Sequence, residues 1–136
     1  MAILTPLTRR QELYSDFYKD FTLIPGRDDL ARKVNEDAVK EAIRNIILTD
    51  KGERLFQPNI GSTVKGMLFE NITPDVVVLL QERIKDALAL FEPRANILEV
   101  KATSSIDSNS VEVSITFNVI NRETPVTFNV ILDRAR

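Results

Sequence analysis

The side chains of this sequence that could carry chemistry are carboxylates. Glu82 and Asp86 are spaced one helical turn apart, and Glu70 and Glu92 lie on either side of them. A glycosidase of the common type holds two carboxyl groups about 5 to 9.5 Å apart and raises the pKa of one of them. Nothing in the spacing of these four acids selects such a pair, because acids on the polar face of a helix are usually just solvated. A cell-wall glycosidase is therefore kept as the alternative function, and no catalytic residue is identified.

Other catalytic and metal chemistry finds little support in the composition. The sequence contains no histidine and no cysteine. This excludes a Ser-His-Asp triad, a thiol nucleophile and the imidazole and thiolate ligands of zinc sites. No glycine-rich phosphate loop is present either. We therefore expect a protein that is not an enzyme and that holds no cofactor and no metal.

The length and net charge of the chain limit the classes of protein that remain. A chain of 136 residues, 43% of them hydrophobic and 28% charged, is expected to form one globular domain. The formal net charge of -2 provides no field that would attract nucleic acid or an anionic membrane. No apolar stretch is long enough to span a membrane, and residues 1–6 lack the layout of a signal peptide. We expect assembly in the cytoplasm, with neither nucleic acid nor membrane as a partner.

The hydrophobic pattern predicts two main amphipathic helices. The first opens at Asn35 and is expected to stop at Gly52. The second starts with a Thr73 cap followed by Pro74 and ends at Phe91, with a short helical piece at residues 63–69 before it. Their apolar faces are Val39, Ala42, Ile43, Ile46 and Ile47 in the first helix, and Val77, Leu80, Ile84, Ala87, Leu88 and Phe91 in the second.

Beyond the second helix the apolar period changes to two, which is typical of half-buried strands. Three such segments are joined by short turns at residues 107–110 and 121–125, so they should form an antiparallel meander. The predicted fold class is α+β, with the two main helices packed on one face of a three-stranded antiparallel sheet and an extended N-terminal leader. The inward positions are Leu98, Val100 and Ala102, then Val111, Val113, Ile115, Phe117 and Val119, then Val126, Phe128, Val130 and Leu132.

The leader is the least regular part. Four aromatic residues are spaced by three and four, which predicts one face of a short helix, followed by a turn at Pro25-Gly26. These residues are Tyr14, Phe17, Tyr18 and Phe21. They either pack on the domain's own core or dock on a neighbouring protein. The predicted division is an aromatic-rich arm over residues 1–34 and a single α+β domain over residues 35–136.

Residues 49–62 form a predicted loop with two glycines and a proline. Leu55, Phe56 and Ile60 are apolar. We expect a loop with that many apolar residues to fold back on the body of the domain.

The tripeptide Glu92-Pro93-Arg94 stands where the second helix gives way to the first strand. Proline disfavours the helical conformation of the preceding residue, so Glu92 should be extended. Residues two apart in an extended backbone point the same way, so Glu92 and Arg94 would project from one side as a stiff bipolar pair. Two interpretations stay open: the pair contacts a partner, or it is an internal ion pair.

The last strand has no charge over residues 126–132. Edge strands are usually blunted by charge, proline or a bulge, and the first strand has Glu99 and Lys101 for that purpose. The edge of the last strand, with Val126, Phe128, Val130 and Leu132, is therefore either covered by the leader or completed by a partner strand.

Three blocks of this sequence resemble the small baseplate wedge proteins of contractile-tailed phages and the related type VI secretion component. The blocks are residues 42–49 running into 52–62, residues 68–74, and Glu92-Pro93-Arg94. The resemblance implies a structural protein of the tail baseplate, present in a symmetric ring. The family loop then comprises Gly52, Glu53, Arg54, Phe56, Pro58 and Gly61.

The resemblance also implies partners. Glu92, Pro93 and Arg94 would grip the helical core bundle of the larger wedge subunits. The sheet would accept an extended arm of the tail sheath protein by β-augmentation and so start the sheath. The N-terminal arm could contact another small wedge protein.

Overall fold

The computed structural model describes residues 13–105 and 107–134. Residues 1–12 of the predicted arm and residues 106, 135 and 136 of the predicted domain lie outside this description. The elements in chain order are β1 (Ser15–Phe17), β2 (Arg32–Val34), α1 (Glu36–Leu48), α2 (Val64–Leu68), α3 (Pro74–Phe91), β3 (Ala95–Ser105), β4 (Ser110–Val119) and β5 (Val126–Asp133).

The chain divides into two compact units, residues 1–38 and residues 39–136. This boundary lies within α1, and the predicted division after residue 34 stays a prediction.

In the first unit, β1 and β2 pair in antiparallel fashion, with Ser15 opposite Val34 and Phe17 opposite Arg32. The predicted helix for the aromatic residues is therefore wrong. Backbone pairing with β2 decides the local structure, and a spacing of three and four over so short a segment is too weak to oppose it. The predicted turn at Pro25-Gly26 is confirmed, with Gly26 at a φ of 79°.

In the second unit, the three-stranded sheet has the order β3-β4-β5 and is antiparallel throughout. The inward side chains of the central strand β4 are all buried, and its alternate residues face outward. Helices α1 and α3 bury their apolar faces in the same core, which is formed by Val39, Ile43, Ile47, Leu80, Ile84, Leu88, Val111, Val113, Ile115, Phe117, Val130 and Leu132, among others. The predicted α+β fold class is confirmed.

The start of α3 follows the predicted capping chemistry. The Thr73 hydroxyl oxygen accepts a hydrogen bond from the Val76 N–H at 3.4 Å, and Pro74 occupies the first turn. The end of α1 differs from the prediction, because the helix stops at Leu48, four residues before Gly52. The last backbone bond of that turn runs from the Thr49 N–H to the Asn45 carbonyl.

The first strand of the sheet contains an irregularity that the sequence pattern missed. The pairing register of β3 with β4 shifts between Ile97 and Glu99, so Leu98 lies in a β-bulge. An extra residue reverses the side on which the following side chains point, and Leu98 is consequently half exposed while Ile97 takes the inward place. The predicted inward position of Leu98 is wrong; Val100 and Ala102 are inward, as predicted.

Among the described residues, no helix is both long and apolar enough to cross a bilayer.

Candidate functional site

The corner, residues 92–94, connects α3 to β3. Glu92 has φ -124° and ψ 78°, and its N–H still donates to the Leu88 carbonyl. Its carbonyl in turn accepts the N–H of Ala95, the first residue of β3. The predicted exit of Glu92 from the helical conformation before proline is confirmed.

The two charged side chains of the corner bind each other. The Arg94 Nε donates to Glu92 Oε1 at 2.7 Å, and a second guanidinium nitrogen donates to Oε2 at 3.1 Å. Glu92 is only 4% exposed, whereas the Arg94 side chain is 26% exposed. The two groups therefore turn to the same side, as the alternation predicts, but Glu92 is buried in an internal ion pair rather than projecting. Two charge-assisted bonds fix the plane of the guanidinium.

The loop, residues 49–62, is closed by bonds at its two ends. The Ser62 N–H donates to the Thr49 carbonyl at 2.9 Å, and the Ser62 hydroxyl donates to the Ile47 carbonyl at 2.8 Å. One turn further out, the Gly52 N–H donates to the Pro58 carbonyl at 2.7 Å. The ends are thus held mainly through backbone groups and not through burial of the loop's own side chains.

Gly61 is required by this closure. It has a φ of 143°, and a Cβ there would lie 2.7 Å from the Thr49 carbonyl oxygen and 2.9 Å from that of Asp50. Both neighbours are backbone atoms, which cannot yield as a flexible side chain would. Only glycine fits this close approach without strain.

The base of the loop also holds a charged cluster. The Glu53 carboxylate accepts the Asp50 N–H at 2.9 Å and lies 3.6 Å from the Lys65 ammonium, which is also 3.8 Å from the Asp50 carboxylate. The hydrogen bond from Asp50, assisted by the charge of Lys65, holds the pKa of Glu53 below its usual range. The ionised form of Glu53 therefore supports loop closure.

The loop tip, Leu55 and Phe56, points into solvent. Leu55 is 85% and Phe56 100% exposed, and Phe56 has a φ of 67° in the left-handed region. The predicted folding back of the loop is wrong for these two residues, because the end-to-end bonds turn the middle of the loop outward. Ile60 alone of the three apolar residues is partly buried. A non-glycine residue in this conformation costs about 1–2 kcal/mol, which the closure must offset.

A first cavity of about 470 Å³ lies between the loop and the corner. Glu92 and Phe91 line it from the end of α3, and Arg54 and Ile60 line it from the loop. The remaining lining residues, from α1 and the residue after it, are Ala42, Asn45, Ile46 and Thr49. The cavity therefore joins two sequence blocks, and of the predicted site residues it contains Glu92 and Arg54.

The other predicted residues of the two blocks do not line this cavity; they are Gly52, Glu53, Phe56, Pro58, Gly61, Pro93 and Arg94. The α1 contribution was not predicted as a site. The signal was present nevertheless, since residues 42–49 form the first block of the resemblance.

The predicted strand edge lies on β5, which pairs with β4 from Val126 opposite Phe117 to Asp133 opposite Ser110. The side chains of Val130 and Leu132 are buried, and the Phe128 ring meets the Phe117 ring edge-on with 5.9 Å between centroids. These side chains belong to the core, so a partner strand could use the backbone of this edge and the outward side chains of β5, such as Ile131, which is 64% exposed. Its use by a partner stays a prediction.

Three of the four acids of the alternative function lie on the surface. Glu70, Glu82 and Asp86 are exposed, and Glu92 is occupied by Arg94. Within residues 13–105 and 107–134, no group of three or more acidic residues is arranged to hold a metal ion.

Comparison with known proteins places this fold and site in a class. Residues 33–124 match the family described as baseplate wedge protein gp25. The protein of that name from Enterobacteria phage T4 is 32% identical over 110 residues, which cover 81% of this chain and 83% of the phage protein.

Two solved structures share the fold of this chain. A crystal structure of a candidate tail lysozyme from Geobacter sulfurreducens is 26% identical, with a TM-score of 0.69, and the match covers 74% of this chain and 92% of that one. A chain in the baseplate of the anti-feeding prophage is 17% identical with a TM-score of 0.62, covering 90% of this chain and 87% of that one. At that identity the likeness shows the fold alone.

The chain is thus a structural component of the baseplate of a contractile tail. It belongs to the baseplate wedge protein gp25 family, as the sequence resemblance predicted.

Proposed function

We propose that this chain is a connector within the baseplate. One face, formed by the loop, the first cavity and the corner, anchors it to the helical core bundle of the larger wedge subunits. The β5 edge accepts an extended arm of the tail sheath protein and starts the sheath. The N-terminal arm contacts a second small wedge protein, and several copies form a symmetric ring.

The observation that carries the anchoring proposal is the first cavity, which Arg54 and Glu92 line together. Its walls combine the apolar side chains of Ile46, Ile60 and Phe91 with polar groups. A side chain projecting from a neighbouring helix could enter such a space, since helix-in-groove contacts rest on a few apolar anchors.

The loop tip supplies the apolar part of the same face. Large exposed apolar side chains that adjoin each other are typical of interaction sites. Aromatic residues in particular are over-represented among those that contribute most to binding energy. Phe56 is therefore the residue whose loss should weaken anchoring most.

The corner contributes in two ways. Pro93 is exposed and Arg94 is partly exposed, so both can contact the partner. Glu92 acts through Arg94, because its two hydrogen bonds fix the direction of the guanidinium. The predicted role of Glu92 is thus reassigned from contact to positioning.

Strand addition is supported by residues 126–132 of β5, which have none of the charges, prolines or bulges that usually keep an edge strand from pairing with another chain. The opposite edge has the Lys101–Glu99 ion pair at 3.1 Å and the bulge at Leu98, both of which blunt an edge. Residues 126–132 have neither charge nor proline. An arm added there would gain main-chain hydrogen bonds along the strand.

Truncation of the loop tip tests the anchoring proposal. Phe56→Ala should leave the free energy of unfolding within about 0.5 kcal/mol of wild type, since the ring contacts nothing in the fold. Incorporation into wedges, measured by co-purification with the larger subunits, should fall at least about tenfold, the equivalent of 1.4 kcal/mol of binding. The control is Leu90→Ala on α3, where the residue is 73% exposed and outside the cavity. Equal incorporation of both variants would refute the anchoring face.

A charge on either edge tests the sheath proposal. Ile131 and Thr103 both lie opposite Glu112 of β4, one on each side. Lysine at either position gains a cross-strand partner, so neither variant should unfold the sheet. Ile131→Lys should block sheath formation on assembled baseplates, whereas Thr103→Lys should permit it, as counted by electron microscopy. Sheath growth on Ile131→Lys baseplates would exclude augmentation at β5.

The similarity to a candidate tail lysozyme supports testing the alternative function, a cell-wall glycosidase. Glu82 and Asp86 are exposed on α3, one turn apart. Purified protein should fail to clear a peptidoglycan suspension. Clearing that is lost in Glu82→Gln would replace the connector role by a glycosidase role.

A further inference from the structure

A second cavity, here called the groove, lies on the other side of the corner. It has a volume of about 620 Å³ and is bordered by α3, by the start of β3 and by the turn that follows β4. Pro93 and Ile120 contribute apolar surface to it. It shares no lining residue with the first cavity, and of the proposed anchoring face only Pro93 borders it.

The groove has a local charge opposite to that of the whole chain. Lys85 and Arg122 line it, and no acidic residue does, although the chain has a net charge of -2. Lys85 is exposed and makes no ion pair within the described part of the chain. A ligand of negative charge would therefore fit this surface.

The groove also contains a buried acceptor that no described residue satisfies. Asn118 lines it, and the Asn118 Oδ1 oxygen is buried and accepts no hydrogen bond from residues 13–105 or 107–134, while Nδ2 donates weakly to the Arg122 carbonyl at 3.4 Å. Leaving a buried acceptor unsatisfied is unfavourable, so a donor that reaches it would be bound more tightly. The torsion that turns this amide is soft, so a donor entering the groove could reach the oxygen.

The frame around this amide is preformed. The Ile120 N–H donates to the Arg94 carbonyl and the Arg122 N–H to the Val119 carbonyl, each at 2.9 Å. Asn121 adopts a φ of 69°, which asparagine tolerates in turns. The turn is thus bonded to the corner, and binding would require little ordering of the groove.

We propose that the groove binds an extended acidic segment of another protein chain. Such a segment offers carboxylates to a lining that contains Lys85 and no acidic residue, and a backbone N–H to Asn118 Oδ1. A simple carboxylate ion is an acceptor only and would leave the Asn118 oxygen unpaired. The same argument disfavours a nucleic-acid backbone, whose phosphodiester oxygens are also acceptors only.

The first test uses the isolated full chain and a capped peptide that alternates valine with aspartate, followed by NMR. The side-chain amide of Asn118 and the backbone amides of residues 120–122 should shift saturably. Lys85→Glu should weaken binding at least fivefold, and the control Arg83→Glu, on the same helix but outside the groove, should not. Equal shifts with a lysine peptide, with glutarate at the same carboxylate concentration, or no shift at all would refute the proposal. Failure here would leave the anchoring face untouched, because this test needs no assembled wedge.

The second test identifies the natural occupant. A photoreactive benzoylphenylalanine at Ile120, in baseplates assembled with this variant, should cross-link to a segment of another polypeptide that carries aspartate or glutamate near the linked position. Adding Lys85→Glu should reduce the yield at least fivefold. Cross-links to a basic or uncharged segment, to this chain itself, or to no protein would contradict the proposal.

Discussion

The corner and the loop border the same cavity, yet they arrange their atoms in opposite ways. The corner holds a carboxylate inside, with Glu92 bonded twice by Arg94. The loop holds its largest apolar side chains outside, with Phe56 fully exposed. A buried charge and an exposed aromatic ring both depart from the usual distribution of residue types. This contrast suggests that the corner supplies shape to the contact face and the loop supplies affinity.

The two regions also differ in what holds them. The corner adds the Glu92–Arg94 ion pair to its backbone hydrogen bonds, whereas the loop is held mainly by backbone hydrogen bonds and by the space left by Gly61. A loop closed by its backbone can spare its side chains for another protein.

Gly61→Ala should be the most damaging change to the loop. The new Cβ would meet two backbone oxygens within 3 Å, and its backbone conformation is strained for any residue but glycine. We expect a loss of about 4 kcal/mol of unfolding free energy, measured by urea denaturation. Gly66→Ala is the matched control, because nothing lies within 4 Å of the added methyl in α2, and it should be neutral or stabilising. Similar values for the two variants would show that the loop is not closed as described.

Arg94→Ala should be the most damaging change to the corner. It leaves the Glu92 carboxylate buried without its partner, which costs about 3 kcal/mol. The double variant Glu92→Gln with Arg94→Ala should recover part of this loss, because the unpaired charge is removed. Chemical denaturation of the two variants measures the difference. A loss below about 1 kcal/mol in Arg94→Ala would mean that the pair behaves as an exposed one.

Phe56→Gly should separate stability from function at the loop tip. Glycine adopts the left-handed conformation without strain but is more flexible when unfolded, so the net gain should be about 0.5 kcal/mol. Incorporation into wedges should nevertheless fall, because the ring is gone. A Phe56→Gly variant that is less stable than wild type and still assembles would contradict both the strain at Phe56 and its role in anchoring.

The charged cluster at the loop base should make loop closure depend on pH. Because the pKa of Glu53 is lowered in the fold, its contribution is complete above the ordinary glutamate pKa and is lost as the pH falls through the lowered value. Protection of the Gly52 and Ser62 amides against hydrogen exchange should therefore drop in acid. In Glu53→Gln the protection should already be lower at neutral pH and should change less in acid. If amide protection depended on pH in the same way in both proteins, Glu53 would have no part in closing the loop.

The regular elements could be predicted because each has a local cause. Thr73 and Pro74 start α3 as their capping chemistry predicts, and alternation identifies β4 and β5. Glu92 leaves the helix because a proline follows it. The family could be inferred because three blocks occur together in order.

The predictions that were wrong concern residues whose structure is decided by distant parts of the chain. Leu98 sits in a bulge, and the aromatic residues of the arm lie on a paired strand and its turn. In both cases pairing with a distant strand overrides the local pattern. The exposure of the loop tip and the first cavity depend on contacts between the loop, α1 and the corner, which no local spacing encodes.

A density map of the assembled baseplate, at a resolution that shows side chains, would show whether the loop and the corner anchor this chain. We expect a side chain from a neighbouring helical bundle to fill the cavity between Arg54 and Glu92, and the Phe56 ring to be buried against the same partner. A map in which that cavity is empty and Phe56 faces solvent would contradict this expectation.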